Sequence, residues 1–290
     1  MRQLILLSLL SLSSFGCRGP AETDAGVQPD GAMADAGVRP DGATVGDDAG
    51  ERDAEVPPSD AGPPPSSKQG SVSVLQMPPD FVTNGAWFGD VGPIEARLDC
   101  ERRVLGGCEV ETCVRLGDDP LPTATPIQHD GITVSGESAC TIAPSDASCR
   151  LGSGERYWDP VAGGTVTFTA PAGDLPGFSV EVDAPTLATV TAPTGSRVPR
   201  ASDLEITWTG GSGTLRAYGG GWSSTVDRRA IVRCEAPASA GTLTVPAEAL
   251  QALMSGHPLS IELQGREVRD VGEYTTTFSA SSFLTQVQTE

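Results

Sequence analysis

Six cysteines, Cys100, Cys108, Cys113, Cys140, Cys149 and Cys234, are the first residues to ask chemistry of. Thiolates hold zinc or pair as disulfides. Zinc ribbons leave a two-residue gap between ligands, but Cys108 and Cys113 are five apart, and His129 and His257, the two histidines of the chain, lack ligand spacing. An even set of cysteines reads instead as disulfides made in an oxidising compartment. Cys140 and Cys149 flank the turn signal Ala143-Pro144-Ser145-Asp146 and are expected to pair. Closing that loop contributes about 2.5–3 kcal/mol in the chain-entropy model. Five of the six cysteines precede Pro185. Full pairing therefore needs a bridge between the halves, joining Cys234 to Cys100, Cys108 or Cys113.

Other chemistry is sparsely marked. The sequence has no Gly-x-Ser-x-Gly elbow, no His-Glu-x-x-His pair and no phosphate-cradling glycine loop with lysine. Both histidines sit in turn-like stretches, Pro126-Ile-Gln-His-Asp-Gly131 and a helix end before Pro258, and are expected to face solvent. Asp118 and Asp119 are adjacent, so an extended chain points them apart. No catalytic residue, metal or cofactor is assigned. The net charge of −19 argues against nucleic acid, whose phosphates need a basic surface. Arg102-Arg103 and Arg228-Arg229 are small basic spots, read first as salt-bridged or solvated strand ends.

Among the four tryptophans, Trp208 falls on the apolar side of an alternating run, and Trp87 and Trp158 are expected at a core or its edge. Trp222 lies in Tyr218-Gly-Gly-Gly-Trp-Ser-Ser-Thr225, read as a glycine-rich turn. A tryptophan there either packs inward or stands on the surface, stacking on a sugar or anchoring a protein. Tyr218, Trp222, Arg228 and Arg229 form the candidate ligand contact.

These residues must be carried by strands. Val166, Phe168 and Ala170 alternate with threonines; Phe178, Val180, Val182 and Leu204, Ile206, Trp208 repeat the pattern, as do Leu259, Ile261, Leu263 and Tyr274, Thr276, Phe278. A period of two sets one face in a core and the other in water. Gly, Pro and Asp clusters at short intervals make the fold class all-β, of sandwich type. One helix is expected, from Pro246 to Met254, a short crossover with Gly256 past its end. About 220 residues exceed a single Ig-like sandwich of about 100. The expected modules are a cysteine-rich sandwich over 71–184 and an Ig-like sandwich over 185–290, parted at Asp183-Ala184-Pro185-Thr186. The stretch from Ala192-Pro193-Thr194-Gly195 to Leu204-Glu-Ile-Thr-Trp-Thr-Gly-Gly211 resembles the first strands of Ig-like or fibronectin-like bacterial modules.

Ahead of them, residues 17–70 read as a disordered tether. Asp-Ala-Gly recurs at Asp24, Asp35, Asp48 and Asp60, and Pro-Asp-Gly-Ala at Pro29 and Pro40. Large apolar residues are almost absent, so ordering entropy is not offset. From Arg18 to Gly70 there are eleven acidic and four basic residues, a net of −7. A flexible chain of this length spans about 40 Å, and roughly 175 Å when stretched. The ordered Asp-x-Asp-x-Asp-Gly spacing of calcium loops is missing.

Residues 1–16 read as a signal peptide. One arginine precedes the apolar run Leu4 to Leu12, which is too short to span a bilayer. Gly16-Cys17 after this run resembles the bacterial lipobox, with Ser14 where that motif usually has Leu. The resemblance implies cleavage before Cys17 and acylation of its thiol. More than one chain makes such an anchor durable, because one holds only marginally. Arg18, rather than Asp, implies outer-membrane sorting. The lipobox, the tether, the cysteine-rich first half and Thr-Val-Pro-Ala-Glu-Ala-Leu near the end together resemble uncharacterised surface lipoproteins of high-GC Gram-negative bacteria. That group has no assigned activity, so the resemblance implies architecture alone. The expectation is a lipoprotein of the outer membrane displaying a non-catalytic binding or adhesion ectodomain for a surface glycan or protein. The alternatives are a structural envelope component without its own ligand, and a hydrolase with an unmarked site.

Overall fold

Alternation of apolar and polar side chains carries most of the described chain into strands. In the computed structural model, residues 67–77, 81–117, 119, 121–122, 126–144, 146, 148–223 and 227–290 are described. The signal peptide, Cys17 and the tether up to residue 66 lie outside them. The strands are β1 (Lys68–Met77), β2 (Phe81–Asp90), β3 (Leu98–Leu105), β4 (Cys108–Arg115), β5 (Ile132–Ser135), β6 (Ala139–Ile142), β7 (Gly164–Ala170) and β8 (Phe178–Ala184). After Pro185 come β9 (Ala188–Ala192), β10 (Arg197–Val198), β11 (Leu204–Gly210), β12 (Thr214–Ser223), β13 (Arg228–Pro237), β14 (Thr242–Val245), β15 (Pro258–Val271) and β16 (Tyr274–Thr289). The chain is all-β.

Two helices interrupt the strands, α1 (Gly92–Glu95) and α2 (Ala247–Ala252). Only the second was expected, and it is shorter than its apolar pattern. Pro246 is its N-cap rather than its first residue. Leu253 is already extended, and Gly256 at φ 80° turns the chain toward β15. The first strand also begins earlier than the composition suggested. Lys68, Gln69 and Gly70, read as tether, pair with Asp90, Gly89 and Phe88 of β2.

The strands form three sheets. The largest has nine strands in the order β2-β1-β16-β15-β12-β13-β4-β3, with β10 added to β16. The others are β14-β11-β9 and β6-β5-β7-β8. Two cores result. One gathers Val166, Phe168, Val180 and Val182 from the four-stranded sheet with Val72, Val74 and Phe278 of the large sheet. The other gathers Ile206, Trp208, Leu243 and Val245 from the three-stranded sheet, Leu250 of α2, and Leu215, Val232 and Ile261 of the large sheet. Trp158 and Trp208 are almost fully buried, and each satisfies its indole N–H on a carbonyl, Pro185 O at 3.1 Å and Ala238 O at 2.7 Å.

The two halves of the sequence interleave in the large sheet. β1 and β2 precede Pro185 yet pair beside β16, and β3 and β4 pair onto β13. Residues 65–290 form one compact unit. Close approach between layers is visible at Gly265 of β15, where a Cβ would lie 1.7 Å from the Asp183 carbonyl oxygen of β8. Only glycine lets those two backbones meet there.

Candidate functional site

The residues singled out for recognition meet where β12, β13, β4 and β3 run side by side. Along β13, Ala230, Val232 and Cys234 are buried, while Arg229, Ile231 and Arg233 alternate with them and point to the other face. β12 repeats the pattern, with Leu215 and Ala217 in the core and Arg216, Tyr218 and Trp222 opposite. Strand register then sets the outward residues in rows. Trp222 faces Arg229, which faces Cys113, which faces Cys100. A second row runs Gly220, Ile231, Glu111, Arg102, and a third Ser260, Tyr218, Arg233, Glu109, Val104.

The structure brings together three of the four proposed contact residues. Tyr218, Trp222 and Arg229 share a face and are half-buried. Arg228 does not join them, since it is one residue from Arg229 and so lies on the opposite face, across from Val114. The Tyr218–Trp222 stretch is also not the turn its glycines suggested. It is the end of β12, and the glycines fit close neighbours. A Cβ on Gly221 would lie 2.8 Å from the His257 ring, and one on Gly219 2.9 Å from the Pro258 carbonyl oxygen. Gly220 leaves room for Ile231 on the outward face, where a Cβ would meet Ile231 Cγ1 at 3.2 Å.

The reading of Arg102 and Arg229 as salt-bridged residues holds, but sequence reasoning missed the Glu111 carboxylate that joins them and the Arg216–Glu262 pair. Glu111 accepts a hydrogen bond from Arg102 Nε at 2.7 Å and another from Arg229 Nη2. Burial pushes the Glu111 carboxyl up, but the two guanidiniums outweigh it and hold it below the usual carboxylate range. Arg216 lies with its guanidinium 4.5 Å from the Tyr218 ring centroid, a cation–π contact, and 3.4 Å from Glu262. Burial lowers the Arg216 pKa and raises that of Glu262, which Arg216 offsets only in part. Beside these residues Gly107, Glu109, Arg233, Glu235 and Arg266 line a shallow depression of about 280 Å³. The available signal was the alternation of Glu109, Glu111 and Cys113 on β4, which sets all three on one face.

The cysteines are joined as Cys100–Cys113, Cys108–Cys234 and Cys140–Cys149. The first two join residues directly opposite each other on paired strands. The Cys100, Glu111 and Cys113 ligand atoms cluster closely, but both sulfurs are committed to the disulfide and offer no thiolate to a metal. Cys149 also belongs to a buried polar knot. Its N–H donates to Asn84 Oδ1 at 2.7 Å, while Asn84 Nδ2 donates to the Tyr157 hydroxyl at 2.7 Å. Burial pushes that phenol up to about 12.

Both histidines depart from the solvent-facing expectation. His129 is buried, with Nδ1 accepting from Gly131 N–H at 3.2 Å, and burial lowers its pKa. His257 is half-buried against Gly221, and burial lowers its pKa too. Of the aspartate pair, Asp119 takes Arg97 at 3.1 Å, and Asp118 lies outside the described residues. Arg103 reaches Glu248 at 2.9 Å. Trp87 is half-buried on β2.

No protein-family model matches the chain, and no curated protein matches it.

Proposed function

We propose that this chain is a lipoprotein of the outer membrane, anchored through Cys17, whose β-sandwich is a non-catalytic module that binds a surface glycan or protein. One observation carries the binding reading: Tyr218, Trp222 and Arg229 share one face of adjacent strands, with Trp222 directly opposite Arg229. Aromatic rings with a polar edge beside a guanidinium suit both sugar stacking and protein hot spots. Glu111 holds Arg229 and the Arg216 guanidinium lies against the Tyr218 ring, so little freedom of those two side chains is lost when a ligand arrives. The anchoring reading rests on Gly16-Cys17-Arg18 and on six further cysteines, the set expected of a chain folded outside the cytosol. Among the described residues no helix is long and apolar enough to cross a membrane.

The test is a glycan array together with a cell-surface protein pull-down, using the full chain in detergent. The proposal expects a defined ligand that Trp222→Ala loses while its melting temperature holds. No ligand in either format, or equal binding by the variant, overturns it.

A further inference from the structure

The three disulfides sit in different surroundings. Cys108 and Cys234 are both fully buried. Cys140 and Cys149 are both half-buried. Cys100–Cys113 is asymmetric, with Cys100 exposed on edge strand β3 and Cys113 only 1% exposed. The Cys113 sulfur lies 3.6 Å from Arg229 Nη2 and 3.5 Å from Glu111 Oε1. That carboxylate is itself bonded to both Arg102 and Arg229. Two guanidiniums against one carboxylate leave one net positive charge beside the disulfide; Glu111 lies close to both sulfurs, while Arg229 is set against Cys113.

We propose that Cys100–Cys113 is a thiol-exchange site that accepts a dithiol, with Cys100 the sulfur attacked and Cys113 the sulfur released. An incoming thiolate can reach the exposed Cys100 but not the buried Cys113. It forms a new S–S bond to Cys100 as the Cys100–Cys113 bond breaks. The electron pair leaves on Cys113, whose thiolate the guanidinium pair stabilises. The second thiol of the dithiol then displaces Cys100, so the dithiol is oxidised by two electrons and the bridge reduced by two. The two dithiol protons end on the two cysteines. Arg229 acts here as a leaving-group stabiliser, and Glu111 opposes it. Once open, β3 is held by its ladder to β4 and by the Arg102–Glu111 and Arg103–Glu248 pairs. Edge strand β3 then loses its disulfide to β4, in the row that carries Trp222 and Arg229.

The experiment treats the full lipidated chain in detergent with reduced glutathione, quenches in acid, alkylates free thiols and maps the peptides. Glutathione is expected on Cys100 with Cys113 free, before any adduct at Cys140 or Cys149 and with Cys108–Cys234 intact. Arg229→Gln slows the step, because a leaving thiol of higher pKa leaves more slowly. Glu111→Gln quickens it. Glutathione on Cys113, earlier opening of Cys140–Cys149, or an unchanged rate in Arg229→Gln overturns the proposal. If Arg229→Gln does not fold, Glu111→Gln decides, and an unchanged or slower rate overturns it.

Discussion

Trp222 and Arg229 stand directly opposite each other across β12 and β13, on the face turned away from the buried core. The same arginine reaches the next strand, bonding Glu111 and touching the Cys113 sulfur. An aromatic platform, a cation and a disulfide therefore share one row of the sheet.

Cys108 and Cys234 close the longest loop, with a sequence separation of 126. Replacing both by alanine removes that constraint from the unfolded chain and is expected to cost about 4–5 kcal/mol. Denaturant unfolding without reductant measures it. A loss below about 1 kcal/mol would show that the ladder between β4 and β13 holds those strands unaided.

Gly265→Ala places a methyl 1.7 Å from the Asp183 carbonyl oxygen, where backbone must move. Overpacking of this kind costs about 1–3 kcal/mol. A thermal melt of the variant is expected to show the loss, and an unchanged melt would mean that β8 does not press on β15. Gly256→Ala has open space around it, so its cost comes from the backbone, at φ 80°, alone.

His129 sets an acid limb on stability. Its folded pKa lies below the ordinary value of about 6.5 because burial disfavours the imidazolium, although Asp130 pulls the other way. The unfolded chain therefore takes up the proton first. Stability is full above about pH 6.5 and falls as pH drops below it, until the folded pKa is passed. Unfolding curves from pH 7.5 down to 5 are expected to show that fall, and His129→Asn to reduce it, the remainder coming from His257, whose pKa burial also lowers.

Cys17→Ser removes the thiol that the lipobox resemblance implies is acylated. Palmitate labelling is expected to vanish and the protein to leave the membrane fraction. Retained label would place the lipid elsewhere and end the anchoring account.

Much of this was legible as periodicity. Val166/Phe168/Ala170 and Leu204/Ile206/Trp208 reveal both strands and faces, because a two-sided environment imprints each residue in turn. Pairing partners leave no such mark. The cysteine count foresaw one link across Pro185, realised as Cys108–Cys234 between β4 and β13, but nothing local to Val72 says that β1 lies beside β16, so that part of the interleaving was invisible. Gly219, Gly220 and Gly221 misled for a related reason. Glycine serves a turn or a close neighbour equally well, and His257, Pro258 and Ile231 become neighbours only in the folded sheet. His129 does lie in a loop, as read, but its burial there left no mark in the local sequence. Of the candidate site, the aromatic and arginine residues were visible by type. Glu111 and Arg216 were not, since their importance lies in what register sets beside them.

A photoreactive amino acid at position 218, in intact cells, tests the central claim most directly. The account predicts a discrete adduct from position 218, no adduct from the exposed Val161 position, and loss of the first on adding Trp222→Ala. No adduct at position 218, or an adduct indifferent to Trp222, would contradict it.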